Sequence, residues 1–331
     1  MNLIRSLWVM AALSTFCVPA IADPVPRPID IHWNQGAADC RKTPQPPLQV
    51  FQYDPQTYIL RESPCATFEA PFMYVLIGTD RALMIDTGDV ADPTLMPLAR
   101  TVMGLLPGQG AAKLPLLVVH THGHLDHRAG DPQFQALPNV QVVGTDLQHV
   151  KQYFGFNHWP DGVDHIDLGH RVVDVIPTPG HYPSHVSYYD RNTALFFSGD
   201  FFMPARLIID NTAEDIASAK RVAEFIRNRP VTYVLGGHIE VDANGDTFDF
   251  GSTYHPNEHV LQLDKQDLMG LPAIVGQFNG FYNQRGMYVM MNQYRVLAAQ
   301  LAALLLIVAG VVVMIWRFVR HRRRRRRAMG N

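Results

Sequence analysis

Val118–Arg128 reads V-V-H-T-H-G-H-L-D-H-R, and this stretch decides how the rest of the chain is interpreted. Four side chains in it are potential metal ligands: His122, His124, Asp126 and His127. The run Leu114–Val119 is continuously apolar, which is typical of a strand buried on both faces. Imidazole and carboxylate groups bind Zn²⁺ and similar first-row metals. The stretch therefore predicts a metal-binding loop at the end of a buried strand.

The spacing within this loop suits two metal ions. His122 and His124 are two residues apart and can point to the same side. Asp126 and His127 are adjacent and can diverge, which suits a second ion beside the first. His120 lies on the strand side of the cluster, so we expect it to be a partly buried histidine at the strand end and not a ligand.

Four further short motifs rich in Gly, Asp and His flank this loop. They are Ile85-Asp86-Thr87-Gly88, Pro179-Gly180-His181, Ser198-Gly199-Asp200 and Gly236-Gly237-His238. Together with T-H-G-H-L-D-H, the set resembles the metallo-β-lactamase superfamily, and the resemblance extends from roughly residue 48 to residue 267. It implies an α/β fold, the four-layer αββα sandwich, with the site along one edge. Predicted strands in two groups separated by helices agree with two packed sheets, although the element order alone does not select this layering.

The same resemblance implies two neighbouring metal sites that share a carboxylate. By residue, one ion would be held by His122, His124 and His181, the other by Asp126, His127 and His238, and both by a bridging Asp200. Asp126 would also take part in catalysis. The implied cofactors are two Zn²⁺ ions, with Fe or Mn as alternatives. Two dications that share one water lower its pKa, so the expected chemistry is hydrolysis by a metal-bridging hydroxide.

Two polar residues near the ligands are expected to support them. Asp86 would accept a hydrogen bond from a ligand instead of binding metal, which fixes the tautomer and orientation of that ligand. His185 has the same expected role or contacts substrate, with a packed core histidine as an equal alternative. A set of aromatic side chains is a candidate wall for an apolar substrate pocket, with core packing as the alternative for each: Tyr182, Phe154, Phe156, Trp159, Phe201 and Phe202.

The residue at position 200 bears on the substrate. Metallo-β-lactamases proper tend to have cysteine or serine there, so Asp200 resembles the branches that include glyoxalase II-like thioesterases and lactonases. The predicted function is hydrolysis of an ester, thioester, lactone or related bond in a small molecule. Three alternatives stay open: β-lactamase activity, an iron-dependent oxidoreductase of the persulfide dioxygenase type, and a metal-binding module without catalysis.

Residues 1–22 are typical of a secretory signal peptide. Arg5 gives a positive start, Leu7–Val18 is an apolar stretch, and Ala20-Ile21-Ala22 is an A-x-A cleavage site. An uncleaved membrane anchor is the alternative. Export would permit a disulfide between Cys40 and Cys65.

A second apolar run, residues 296–319, is long enough to span a bilayer core of about 30 Å as a transmembrane helix. The basic tail, residues 320–331, contains the unbroken run Arg322–Arg327, and the positive-inside rule places it in the cytoplasm. The exported catalytic domain would then lie on the periplasmic side of the cell membrane, held by a single span. A sorting tag that is later removed is the alternative.

Charge is divided unevenly along the chain. From Val296 onward there are eight arginines and no acidic residue. Without these and Arg5, 19 basic residues face 30 acidic ones, a formal charge of about −11. The acidic charge of the chain between its two termini argues against nucleic acid as a partner.

Between the termini, residues 23–47 are rich in proline and are predicted to be extended. Residues 48–268 form the predicted hydrolase domain. Residues 269–295 have several glycines and no clear hydrophobic period, and we predict that they form a linker. Helices are predicted over Asp92–Leu106, Asp146–Tyr153, Thr212–Asn228 and His255–Leu268.

Overall fold

The computed structural model describes residues 27–328, so the signal peptide predicted over residues 1–22 lies outside the described residues. The strands, in chain order, are β1 (Leu48–Asp54), β2 (Thr57–Glu62), β3 (Phe72–Ile77), β4 (Ala82–Ile85), β5 (Leu116–Val119), β6 (Val140–Val142), β7 (Asp164–Asp167), β8 (Val172–Pro177), β9 (Val186–Asp190), β10 (Leu195–Gly199), β11 (Arg206–Ile208), β12 (Tyr233–Gly236), β13 (Gln262–Leu263), β14 (Tyr282–Arg285) and β15 (Tyr288–Met291). The helices are α1 (Leu98–Leu105), α2 (Asp131–Gln135), α3 (Leu147–Phe154), α4 (Thr212–Ile226), α5 (Lys265–Val275) and α6 (Gln293–Ala328).

Two six-stranded sheets form the body of the protein. In the first sheet the strand order is β1-β2-β3-β4-β5-β6, and β4, β5 and β6 run parallel to one another. In the second sheet the order is β13-β12-β10-β9-β8-β7, and β10 and β12 are parallel. Parallel neighbours end at the same edge of a sheet, so the segments that follow β10 and β12 begin side by side.

The two sheets pack face to face on a buried apolar cluster. Tyr74 of β3 and Phe197 of β10 meet there, with ring centroids 4.6 Å apart. Helices α1 and α2 cover the outer face of the first sheet, and α4 and α5 cover that of the second. In β5, Val119 faces the inner cluster and Val118 the outer one, which is why this strand is apolar at every position. The result is the mixed α/β fold expected from the sequence.

Residues 269–295 contain secondary structure that packs on the domain, which corrects the expected linker. The end of α5 is followed by the hairpin β14–β15, and β15 pairs in parallel with β11 in a three-stranded sheet. Tyr288 and Met290 of β15 are buried. The strands are short and the partner β11 lies far away in sequence, so no local period predicted them.

The last helix of the domain begins later than the predicted range His255–Leu268. Helix α5 starts at Lys265, where the Asp264 side chain accepts from the backbone N–H of Asp267 at 2.8 Å and the Asp267 side chain accepts from that of Asp264 at 2.9 Å. This reciprocal cap fixes the start of the helix. Asn257 has a φ of 57°, which excludes a right-handed helix through that residue.

A disulfide and a buried ion pair fasten peripheral segments to the first sheet. Cys40 and Cys65 are bonded, with their Cα atoms 5.5 Å apart. Arg61 of β2 donates two hydrogen bonds of 2.6 Å to the carboxylate of Glu258, and both side chains are almost fully buried. The ion pair therefore holds the long segment between β12 and β13 against the first sheet.

Helix α6 contains the predicted membrane span. Residues Gln293–Arg325 are long and apolar enough to cross a membrane: they contain an 18-residue segment with a mean hydropathy of 2.8, none of which is buried in the described structure. Large side chains such as Leu305, Ile307 and Trp316 are exposed on it. An exposed helix that is apolar on all sides could therefore span a membrane.

Candidate metal centre

The seven side chains predicted as ligands converge at one edge of the two sheets. The loop after β5 supplies four of them, and His181, Asp200 and His238 come from the segments that follow β8, β10 and β12. Within each of two groups, the donor atoms all lie within 4.8 Å of one another: His122, His124 and His181 in the first, and Asp126, His127, Asp200 and His238 in the second.

In the first group, three ring nitrogens face one another. His122 Nε2 lies 2.9 Å from His124 Nδ1, and His181 Nε2 lies 3.2 Å and 3.0 Å from these two atoms. His181 Nδ1 donates to the carbonyl oxygen of Ile208 at 2.9 Å, so its Nε2 carries a lone pair when the ring is neutral. In a tetrahedral zinc site, where each Zn–N distance is about 2.0–2.1 Å, the nitrogens lie only slightly farther from one another than these three do.

In the second group, two imidazoles face two carboxylates. His127 Nε2 lies 3.2 Å from Asp126 Oδ2 and 3.3 Å from Asp200 Oδ1. His238 Nε2 lies 3.2 Å from the same Asp126 oxygen. Nitrogen and carboxylate oxygen donors at this spacing fit a first-row dication as well as the first group does.

Asp200 faces both groups. Its Oδ1 lies 3.3 Å from His127 Nε2 and 3.6 Å from His238 Nε2. Its Oδ2 lies 3.7 Å from His181 Nε2 and 4.0 Å from His122 Nε2. Oδ1 is buried and has no hydrogen-bond partner among residues 27–328. Such an oxygen is costly to bury, and a cation in each group would give both oxygens of Asp200 a partner.

Hydrogen bonds on the outer side of the rings set their orientation. Asp86, just after β4, accepts from the His127 ring at 3.0 Å, and from the backbone N–H and hydroxyl of Thr121 at 2.7 Å and 2.9 Å. The carbonyl oxygen of Glu69 accepts from His238 Nδ1 at 2.7 Å. When the ring is neutral, each contact leaves the Nε2 lone pair of that histidine facing the second group.

Two further histidines lie near the ligands but outside both groups. His185 is fully buried, its Nδ1 lies 2.8 Å from the hydroxyl of Thr178, and its ring stacks on that of His122 with centroids 5.2 Å apart. Burial lowers the pKa of His185 well below its usual range, so the ring is neutral. His120 is buried directly after β5, and its Nε2 lies 2.8 Å from a carboxylate oxygen of Asp131.

The two groups differ in charge. Burial, reinforced by neighbouring His181, lowers the pKa of His124 to about 4, so this ring is neutral at pH 7. Burial opposes ionisation of Asp126 and Asp200, but the charge of His127 outweighs it and holds the pKa of both carboxyls below their ordinary range. Two carboxylates this close together, one buried and one partly exposed, require positive charge, and dications would supply it while leaving the histidines neutral.

A cavity of about 470 Å³ opens onto both groups. Besides ligands, its wall contains residues that the sequence patterns did not identify: Glu69, Leu125, Met203, Arg206, Ile208, Glu240, Phe250, Met291 and Gln293. They come from segments as far apart as the β2–β3 connection and the first turn of α6, so only the folded chain brings them together. Among them, only Leu125 could have been identified from the sequence, because it lies between His124 and Asp126 in the loop after β5.

The aromatic residues named as candidates for a pocket wall do not line this cavity: Tyr182, Phe154, Phe156, Trp159, Phe201 and Phe202. Phe154 and Phe156 are buried in the cluster between the sheets, and Trp159 packs against it. Phe201 and Phe202 lie in the cluster beneath α4 and α5. Core packing therefore accounts for these five. The Tyr182 ring does contact a ligand, with its centroid 4.9 Å from that of His124.

Residues 66–238 match the family model described as the metallo-beta-lactamase superfamily. An acyl-coenzyme A thioesterase, MBLAC2 of Gallus gallus, is 25% identical over 55% of this chain and 77% of that protein. The hydroxyacylglutathione hydrolase of Aeromonas hydrophila is 27% identical over 65% of this chain and 82% of that protein. A solved metallo-beta-lactamase from Pontibacter korlensis is 16% identical, with a TM-score of 0.48, over 70% of this chain and 100% of that one.

Proposed function

We propose that this chain, which belongs to the metallo-beta-lactamase superfamily, is a dinuclear zinc hydrolase. The bond that it cleaves would be an acyl ester or thioester. One observation supports the proposal most strongly: seven donor side chains from four loops form two adjacent groups, and one of the seven, the buried Asp200, lies between the groups. The two relatives described above are a thioesterase and a hydroxyacylglutathione hydrolase, which supports hydrolysis at the family level and favours an acyl substrate.

The donor sets fit zinc. Three neutral imidazoles would hold one ion, two imidazoles and Asp126 the other, and Asp200 would contact both. Two bound dications would supply an activated water near neutral pH and would polarise the carbonyl oxygen of the acyl group. Imidazole and carboxylate donors also accept iron or manganese, so the metal itself has to be measured.

The residues of this chain have distinct tasks in such a reaction. Asp86 and the Glu69 carbonyl hold the rings of His127 and His238 so that Nε2 faces inward. Asp126 stays ionised because its pKa is held low, and its partly exposed carboxylate faces the cavity. It can therefore accept a hydrogen bond from the attacking water and orient it without keeping the proton.

We also propose that α6 crosses the cell membrane once, with the catalytic domain outside the cytoplasm. The uncovered apolar helix and the arginines that follow it support this orientation. The Cys40–Cys65 disulfide supports it independently, because such bonds persist in oxidising compartments. The signal peptide predicted over residues 1–22 would direct the export.

The test is metal analysis and a substrate panel on the full-length protein purified in detergent. We expect two zinc ions per chain and turnover of an acyl thioester or ester, with slower or no turnover of a lactone and a chromogenic β-lactam. His122→Ala should lose the first metal and at least about 100-fold in kcat/KM. His165→Ala, at an exposed position in β7, is the matched control and should change neither.

Other outcomes would select other members of the same fold. Iron in place of zinc, with oxygen consumption on a persulfide, would identify an oxidoreductase and contradict the proposal. Turnover confined to the β-lactam would identify a β-lactamase. A zinc-loaded protein that is silent on the whole panel would favour a binding module.

A further inference from the structure

We infer that the substrate is a membrane-resident amphiphile: an acyl ester or thioester whose long hydrocarbon chain stays in the bilayer while its scissile bond enters the cavity. The inference rests on the proposed function and names its substrate class. It begins with Gln293, which lines the cavity over the metal centre and is also the first residue of α6.

No linker separates the site from this helix. Strand β15 ends at Met291, which lines the same cavity, and α6 begins two residues later. The side-chain amide of Asn292 donates to the carbonyl oxygens of Ile209 and Asp210, at 3.0 Å each. The side-chain amide of Gln293 donates to the Asp210 carboxylate at 2.8 Å. These contacts fix the start of α6 on the catalytic domain.

The same structural unit reaches the first group of ligands. Ile208 in β11 pairs with Met291 in β15, and the carbonyl oxygen of Ile208 accepts from His181 Nδ1 at 2.9 Å. A ligand and the base of the apolar helix are therefore joined through one pair of neighbouring strands. The site cannot move far from the helix without breaking this pairing.

The apolar part of α6 starts very close to the cavity. Val296 is three residues beyond Gln293, a distance of about 5 Å along a helix that rises about 1.5 Å per residue. The residues around this junction include exposed aromatic side chains: Phe281 just before β14, Tyr282 at the start of β14 and Tyr294 in α6. Aromatic side chains of this kind are typical of the membrane–water interface. The bilayer surface would thus lie beside the cavity wall.

The mouth of the cavity is apolar where a hydrocarbon chain would pass. Leu125 and Phe250 line the cavity, yet their side chains are 60% and 81% exposed. Phe250 packs edge-on against Phe68, with ring centroids 5.2 Å apart, which places a second large apolar side chain at the rim. Exposed apolar side chains clustered at a cavity mouth mark binding surfaces for apolar partners.

The reaction balances with water as the only co-reactant. Water adds its oxygen to the acyl carbon, the bond from that carbon to the ester oxygen or thioester sulfur breaks, and the departing alcohol or thiol takes up one proton from water. The carboxylic acid product keeps its chain in the bilayer, while a polar alcohol or thiol leaves into the aqueous phase.

The test separates the site from the bilayer without touching the cavity. Three EAAAK repeats inserted between Arg295 and Val296 would lengthen α6 by about 22 Å and keep the Asn292 and Gln293 contacts. The full-length protein is placed in phosphatidylethanolamine–phosphatidylglycerol vesicles that contain a hexadecanoyl thioester, and its rate is compared with that on a water-soluble acetyl thioester. The same insertion between exposed Gly108 and Gln109 is the control.

We expect the lengthened protein to lose at least tenfold in rate on the vesicle substrate, with the soluble substrate cleaved within twofold of the unmodified rate. Equal rates of both proteins on the vesicle substrate would overturn the inference. So would an unmodified protein that cleaves the soluble acetyl thioester with a higher kcat/KM than the hexadecanoyl thioester, a measurement that needs no variant. An unmodified, zinc-loaded protein that cleaves neither would overturn the proposed function itself.

Discussion

Asp86 accepts a hydrogen bond from the His127 ring at 3.0 Å, and this contact fixes which nitrogen of His127 faces the candidate metal centre. Asp86 adopts a φ of 64°, a left-handed conformation that is uncommon in residues other than glycine but is adopted more readily by aspartate and asparagine than by most. Its carboxylate also accepts two hydrogen bonds from Thr121. The turn after β4 is thus shaped to present one carboxylate to the ligand loop.

Asp86→Ala should weaken the second metal by about 10–100-fold, because the His127 ring loses the partner that orients it. The first metal should be held as before. A competition titration against a zinc chelator measures both affinities. Asp80→Ala, at an exposed turn position, is the control. Unchanged affinity of the second metal in the Asp86 variant would contradict this role.

Asp215 should make the protein less stable as the pH rises through the neutral range. It is buried in α4, and burial raises the pKa of its carboxyl from 3.8 to about 8. Between these two pKa values the unfolded chain releases the proton while the folded protein keeps it, so stability falls from about pH 4 to about pH 8. Asp215→Asn removes this term. Thermal unfolding should show the variant a few degrees more stable at pH 8 and little changed at pH 4; the same difference at both pH values would refute it.

Reduction of the Cys40–Cys65 disulfide should lower the free energy of unfolding by about 3 kcal/mol, since the bond closes a loop with a sequence separation of 25. Denaturant unfolding with and without reductant measures the difference. The Cys40→Ser, Cys65→Ser double variant should be as stable as the reduced protein and insensitive to reductant. A reduced protein as stable as the oxidised one would show that the bond contributes nothing to folding.

Glu258→Gln should destabilise the protein by about 3–5 kcal/mol, because it leaves the buried charge of Arg61 unpaired. The control is Glu224→Gln, which breaks an exposed pair with Arg227 and should cost less than about 1 kcal/mol. Chemical denaturation of the two variants gives both values. Equal costs would mean that burial does not decide the strength of this pair.

The seven candidate ligands could be picked out from the sequence because each lies in a short motif just after an apolar run, and the fold brings them together. Asp200 and His238 follow parallel strands β10 and β12, so strand order brings them together once the fold is known. The wall of the cavity was not predictable in the same way. Phe250 lies in a long loop without a period, and Gln293 reaches the site only because β15 pairs with β11.

The sequence left two interpretations open for the aromatic residues, a pocket wall or core packing. Phe154, Phe156 and Trp159 lie close together in sequence, which is compatible with either a pocket or a core. Which of the two holds depends on how the end of α3 packs against the two sheets, and local sequence does not determine that packing. Composition indicated that these side chains would be buried, but it could not indicate which strands and helices they would pack against.

The most direct measurement is zinc titration into the full-length protein after its metals have been removed by a chelator, with hydrolysis of a short-chain acyl thioester followed at each step. We expect no turnover in the stripped protein and a rise that ends at two zinc ions per chain. Full turnover without metal, or a protein that binds two zinc ions at His122 and its partners and still cleaves no acyl bond, would contradict a dinuclear hydrolase.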